Sequence, residues 1–104
     1  MSALEDEMAY QIFVAGLPQP EREVKLIQGR KFRFDFVWKK QRLAVEVQGG
    51  IWIKSGHSTG KGITRDCEKH ILATLAGYRV LPVTSDMVRS GKALEFVKKA
   101  LRGN

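Results

Sequence analysis

The strictest alternation of apolar and polar residues runs through the middle of the chain. Every second residue is aromatic from 31 to 38 and aliphatic from 43 to 48, with the polar residues 39–42 between these segments. Period-two patterns predict β-strands, and the short polar connection predicts a hairpin whose four aromatic residues share one face. A turn centred between Lys40 and Gln41 opposes apolar residues throughout, in the pairs Trp38–Leu43, Phe36–Val45 and Phe34–Val47.

The remaining patterns predict three helices and two strands. In chain order they are a helix over 3–15, a strand over 23–27, a helix over 63–75, a strand over 78–83 and a helix from 90 to 101. Pro82 indicates that the last strand lies at an edge of the sheet or that the strand ends there. The second helix repeats an apolar residue every fourth position, and we expect this stripe to face the core (Ile63, Cys67, Ile71 and Leu75).

Length, cysteine content and charge predict a single domain that does not span a membrane and that binds a polyanion. The 104 residues predict a single domain over 1–104, and no apolar run is long enough to cross a membrane. One cysteine and an acidic N-terminal segment favour a cytoplasmic protein. Lys and Arg number 18 against 11 acidic residues, a net charge of +7. This excess predicts a polyanionic partner such as DNA, the alternative being a basic protein without one.

The hairpin register predicts a pair of carboxylates on the polar face. It places Asp35 opposite Glu46 and Arg33 opposite Gln48. Directly opposed like charges destabilise a sheet, so a cation between them is expected. Mg²⁺ prefers oxygen ligands and is held by one or two carboxylates plus phosphate, and the Val47 carbonyl is a further candidate ligand. The alternative is a solvated face on which Arg33, Arg42 or a helix lysine neutralises the pair.

These residues resemble a known motif. Asp35, ten intervening residues and then Glu46-Val47-Gln48 resemble the PD-(D/E)xK nuclease superfamily. More narrowly, several segments resemble small phage-type endonucleases related to the very-short-patch repair endonucleases: Gly16-Leu17-Pro18, Arg33-Phe34-Asp35-Phe36, Ala44-Val45-Glu46-Val47, Gly49-Gly50, Gly56-His57, Asp66-Cys67-Glu68-Lys69 and Gly77-Tyr78-Arg79-Val80-Leu81.

The resemblance implies a fold, an activity and a cofactor. The fold is α/β, a restriction-endonuclease-like α-β-β-β-α-β core with a mixed four-stranded sheet flanked by helices, followed by a C-terminal helix. The activity is cleavage of DNA phosphodiesters, with Mg²⁺, or Mn²⁺ in its place, held by Asp35 and Glu46. Gln48 stands where the motif has lysine. A neutral amide can orient the attacking water but supplies no positive charge, for which Lys54, Lys61 and Lys69 are the candidates.

Other residues are candidates for completing the site. In the folds that this chain resembles, an acid or amide from the first helix often completes the metal site, and the resemblance thereby implies Glu7 or Gln11. Glu23 on the first strand is a further candidate. Their simpler roles are compensation of the helix dipole and a solvated strand position. His57 is expected to protonate a leaving oxygen, to position water or to contact phosphate, or else to be an ordinary loop residue. His70 is more simply structural.

Basic residues flank the predicted carboxylate pair. Candidates for contacting the DNA backbone are Arg30, Lys31, Arg33, Lys54, Lys61 and Arg65, each of which is otherwise a solvated surface cation. Two other functions stay open: a non-catalytic DNA-binding module, favoured by Gln48, and a structural or regulatory phage protein. A single site of this kind can nick one strand, and symmetric cutting of both strands would indicate a homodimer.

Overall fold

The computed structural model describes residues 3–48 and 60–102. Its elements are α1 (Ala3–Val14), β1 (Glu21–Val24), β2 (Phe34–Trp38), β3 (Leu43–Gln48), α2 (Gly60–Leu75), β4 (Arg79–Thr84), α3 (Ser85–Ser90) and α4 (Lys92–Leu101). The strands form one sheet in the order β1-β2-β3-β4. β2 is antiparallel to both of its neighbours, and β4 is parallel to β3, so the sheet is mixed. The predicted fold class is confirmed, including the edge position of β4.

The hairpin has the predicted register from Phe36 to Leu43, but the predicted pair Phe34–Val47 does not form, because Phe34 lies in one core and Val47 packs against the other. The observed pairs are Phe36–Val45, Val37–Ala44 and Trp38–Leu43. β2 begins at Phe34, three residues later than expected, and the strand predicted over 23–27 instead spans Glu21–Val24. The hairpin register could be predicted because a shift of one residue would exchange the buried and exposed faces of both strands.

Two hydrophobic cores lie on opposite faces of the sheet. The large core joins α1, α3 and α4 to the sheet through Met8, Ile12, Phe36, Trp38, Leu43, Val45, Val83, Val88, Ala93 and Val97. The small core lies under α2 and consists of Phe34, Val37, Ala44 and Ala73. Successive strand residues alternate between faces, and Glu46 lies two residues after Ala44. Glu46 is therefore on the small-core face.

The four aromatic residues do not share one face, contrary to the sequence prediction. Phe36 and Trp38 belong to the large core, whereas Phe34 belongs to the small core. Phe32 precedes the strand, and the Arg30 guanidinium carbon lies over its ring, 4.6 Å from the centre of the Phe32 ring. The change of face falls at Asp35, between the β1–β2 pairs Arg22–Phe36 and Val24–Phe34. Opposite Asp35, Glu23 has a φ of 52°, so the local backbone is not regular strand.

The side of α2 that packs on the sheet was also predicted wrongly. Ile63, Ile71 and Leu75 are 53%, 56% and 77% exposed, and Cys67 is exposed too. From residue 61 to residue 75, the buried position is Ala73. Ala73 lies two residues after Ile71, which is about 200° around the helix. The four-residue spacing therefore identified the helix but not the face that packs.

The C-terminal region contains one helix that the sequence patterns did not predict. α3 follows β4 directly, and its N-cap Thr84 accepts a hydrogen bond from the Met87 N–H at 3.3 Å through its hydroxyl oxygen. Gly91, with a φ of 87°, ends α3 and precedes α4. Within residues 3–48 and 60–102, no helix combines the length and the apolar character needed to cross a membrane.

Candidate active site

The structure brings Asp35 and Glu46 together at the end of the hairpin away from its turn. Phe36–Val45 is the last regular β2–β3 pair in this direction. Beyond it, Asp35 Oδ2 accepts a hydrogen bond from the Val47 N–H at 2.7 Å. This hydrogen bond from the residue after Glu46 holds the Asp35 side chain against β3. The predicted role of the Val47 carbonyl as a ligand stays a prediction.

Burial makes both carboxylates costly to ionise. Desolvation raises the pKa of Asp35 above its usual range, with the charge of Glu46 adding to the rise and the Val47 N–H opposing it. Desolvation likewise raises the pKa of Glu46, while Lys69 opposes the rise. The nearby charge of Asp66 also raises the pKa of Glu46. Two carboxyl groups in this condition favour a cation or a shared proton between them.

Lys69 projects from α2 and contacts the Glu46 carboxylate. Both side chains are only 13% exposed. The Lys69 ammonium also lies 4.7 Å from the centre of the Phe34 ring, a cation–π distance. The sequence placed Lys69 among three candidate lysines, but it could not single it out because the rotation of α2 was unknown.

The other predicted catalytic residues are only partly described. Gln48 is half-buried at the end of β3, two residues after Glu46 and thus on the same face of the strand. In the parallel register it lies beside Thr84 of β4. His57 and Lys54 lie outside the described residues, and their roles stay predictions.

The structure gives the candidate residues on α1 and β1 partners other than the carboxylate pair. Glu7 accepts a hydrogen bond from Gln11 Nε2 at 3.0 Å. The same nitrogen donates to the Val88 carbonyl at 2.9 Å, on the large-core side. Glu23 forms an ion pair with Arg33 at 3.7 Å. Roles for Glu7, Gln11 and Glu23 as metal ligands therefore stay predictions.

Three of the predicted DNA-contacting residues come together in one groove. The groove has a volume of about 420 Å³ and is lined by Gly29, Arg30, Lys31, Phe32 and Arg65. Arg30 forms an ion pair at its edge with Glu68, 3.0 Å away. Of the other two described candidates, Lys61 is exposed on the first turn of α2, and Arg33 pairs with Glu23. The segment before β2 and the helix α2 thus form a basic surface, called here the basic groove and defined by its five lining residues.

The donor set at the carboxylate pair is small. Over the two described ranges, no group of three or more His, Cys, Asp or Glu side chains could hold a metal ion. A site that requires three or four such side chains, as catalytic and structural zinc sites do, is not formed by these residues. Two carboxylates do fit Mg²⁺ or Mn²⁺, which retain water and share their coordination with substrate phosphate.

Comparison with known proteins gives one structural likeness. No protein-family model matches the chain, and neither does any curated protein sequence. Among solved structures, the fold is similar to the catalytic domain of the homing endonuclease I-Bth0305I, with a TM-score of 0.71 and 21% sequence identity. The similarity covers 96% of this chain and 94% of that one. The chain therefore shares the fold of that catalytic domain.

Proposed function

We propose that the protein is a metal-dependent endonuclease that hydrolyses DNA phosphodiesters at the Asp35–Glu46 pair. The observation that carries the proposal is this half-buried pair, contributed by adjacent strands, in a fold shared with an endonuclease catalytic domain. A buried carboxylate pair stabilises little by itself, because each charge is costly to desolvate. Binding a divalent cation would offset that cost.

The proposed metal is Mg²⁺, with Mn²⁺ as a substitute, and Asp35 and Glu46 are the residues that would hold it. When bound, such an ion lowers the pKa of water and stabilises negative charge on phosphate. The Val47 N–H fixes Asp35 Oδ2, which leaves the other carboxylate oxygen of Asp35 for a further ligand. Gln48, on the same face of β3 as Glu46, orients the attacking water through its side-chain amide.

The basic groove supports DNA as the substrate. Arg30, Lys31 and Arg65 project from two elements, the segment before β2 and α2, onto one surface. Contacts of this type hold phosphates and position a duplex without reading its sequence. We therefore propose recognition of a DNA structure, such as a nick, a mismatch or a junction, in repair or recombination.

The first experiment measures cleavage of supercoiled plasmid, single strands, a mismatched duplex and a four-way junction, with Mg²⁺, Mn²⁺ or EDTA. Asp35→Asn and Glu46→Gln should each reduce cleavage by about a thousandfold or more, because they remove the charges that hold the metal. The matched control is Glu95→Gln, the same substitution on the exposed side of α4, which should cleave like the wild type. Cleavage that persists in EDTA, or in both site variants, would contradict the proposal.

The second candidate function is a DNA-binding module without catalysis. The observation in its favour is Gln48, which cannot supply the positive charge of the motif lysine. Such a module would bind DNA equally well with Mg²⁺ and with EDTA, and it would cleave none of the four substrates. Measuring affinity beside cleavage in the same buffers separates the two functions.

A further inference from the structure

The position after Glu46-Val47 leaves the proposed nuclease without a cation on β3. Gln48 is neutral, and its half-buried side chain lies on the face of β3 that carries Glu46. Stabilising the charge that develops on a phosphate in the transition state requires donors or cations placed beside it beforehand. The proposed metal supplies part of this stabilisation, and a cation from another element near the carboxylate pair would take the place of the motif lysine.

Lys69 has the geometry to supply that charge. Its ammonium contacts Glu46, and its charge partly offsets the rise that burial causes in the pKa of both carboxyl groups of the pair. Ala73, one helical turn further along α2, is fully buried in the small core and fixes the distance between the helix and the sheet. The Phe34 ring also contacts the ammonium, at a cation–π distance. The ammonium is thus held in place at the carboxylate pair before any substrate binds.

Stability alone does not explain why the residue at position 69 is a lysine. Apolar residues of similar volume commonly replace a buried ion pair without loss of stability, because they avoid the desolvation cost of both charges. The small core lies directly beneath, with Phe34 in contact with the lysine, so an apolar side chain at position 69 would extend it. A lysine ammonium has three N–H donors, and its contact with Glu46 leaves donors for a phosphate oxygen.

We propose that Lys69 is a catalytic residue, which supplies from α2 the positive charge that Gln48 does not provide on β3. This inference rests on the proposed nuclease function. In the reaction, a water oxygen bonds to phosphorus as one P–O ester bond breaks. The proton lost by the water is matched by a proton that the departing oxygen takes from solvent. Lys69 keeps its protons throughout and donates to a non-bridging phosphate oxygen, where negative charge increases.

The test compares Lys69→Met and Lys69→Gln with the wild type. Both should lower kcat by about 100-fold to 1000-fold, the cost of removing one such group, with KM changed only a few-fold. Lys69→Gln keeps a hydrogen-bond donor for Glu46 but removes the charge, so it separates catalysis from positioning. The control is Lys98→Met on α4, whose lysine pairs with the exposed Glu95.

A second measurement is independent of cleavage. Calorimetric titration with Mn²⁺ in the absence of DNA should show affinity that is unchanged or up to about tenfold tighter in Lys69→Met, because a neighbouring positive charge is removed. A lysine that only held Glu46 in place would give the opposite result, with Mn²⁺ binding and cleavage lost together. Adding Gln48→Lys to Lys69→Met should restore cleavage by at least about tenfold, since it returns the charge to the same face of the site.

Three outcomes would overturn the inference. If Lys69→Gln cleaves like the wild type, the charge of Lys69 has no part in catalysis. If Lys69→Met folds, as judged by thermal unfolding, yet loses Mn²⁺ binding, Lys69 is a positioning residue. If the wild type cleaves nothing with either metal, the proposed function fails and this inference fails with it. The first two leave the nuclease proposal intact, so the two failures are distinguishable.

Discussion

The two faces of the sheet differ in the side chains that they bury. Among the described residues, the large core buries ten from three helices and three strands, all of them apolar. The small core buries four described residues, and the adjoining space under α2 holds the Glu46–Lys69 ion pair. Apolar burial stabilises the fold in proportion to its area, whereas a buried ion pair adds little. The free energy of unfolding should therefore come mainly from the large core, because charged groups occupy space on the small-core face that apolar side chains could fill.

The largest expected effect on stability tests the large core. Phe36→Ala should lower the free energy of unfolding by about 3–5 kcal/mol, because it removes a fully buried aromatic ring and leaves a cavity. Phe32→Ala is the matched control, since Phe32 is half-buried outside the strands. Urea unfolding of both variants measures the difference. Equal losses in the two variants would show that the large core does not dominate stability.

A second prediction compares two positions of α2. Ala73→Leu should destabilise the fold by about 1–3 kcal/mol, because the added carbon atoms have no space against Phe34, Val37 and Ala44. Ile71→Gln on the exposed side should change stability by less than about 0.5 kcal/mol. Thermal unfolding distinguishes them, and the reverse order would mean that α2 packs through its apolar stripe. Since Ala73→Leu moves α2 outward, it should also slow cleavage through Lys69.

Much of the fold could be predicted from the sequence because most of its elements have an unambiguous pattern. The hairpin alternation fixed the β2–β3 register, and that register led to Asp35 and Glu46. The rotation of α2 could not be predicted, because the apolar stripe at Ile63, Ile71 and Leu75 is on the solvent side. An apolar stripe at helical spacing ordinarily faces the core, and α2 departs from this rule because it packs through the small residue Ala73.

The change of face at Asp35 could not be predicted for a related reason. Strict alternation predicts that Phe34 and Phe36 share a face, but the backbone irregularity opposite Asp35 separates them. Irregular strands of this kind are common next to active sites, where they redirect a side chain. Here the consequence is that Phe34 lies under Lys69, a contact that no local sequence signal indicates.

A third prediction concerns pH. Burial raises the pKa values of Asp35 and Glu46, so the folded state binds these protons more tightly than the unfolded state does. Their contribution to stability is fully present below the unfolded pKa values and is lost as the pH rises through the higher folded values. In EDTA, the wild type should therefore gain stability relative to Asp35→Asn between about pH 7 and about pH 4.

Saturating Mg²⁺ should reverse this trend. The ion binds the ionised carboxylates, so its stabilising effect should weaken as the pH falls. Urea unfolding at several pH values, with and without Mg²⁺, measures both slopes. Wild-type and Asp35→Asn curves that stay parallel in EDTA would show that the pair is not strained by burial.

The smallest expected effect concerns the edge of the basic groove. The Arg30 guanidinium beside Glu68 holds the pKa of that carboxyl below its usual range, so Glu68 is charged at neutral pH and competes with DNA phosphate for Arg30. Glu68→Gln should therefore tighten DNA binding by about two- to fivefold at low salt, and the gain should shrink as salt screens exposed charges. Arg30→Ala should weaken binding and lower the salt slope by about one. Fluorescence anisotropy across a salt series measures both variants, with Glu95→Gln as the control. If Glu68→Gln binds DNA like the wild type while Arg30→Ala binds more weakly, Arg30 contacts phosphate without releasing Glu68, and the basic groove accommodates both partners at once.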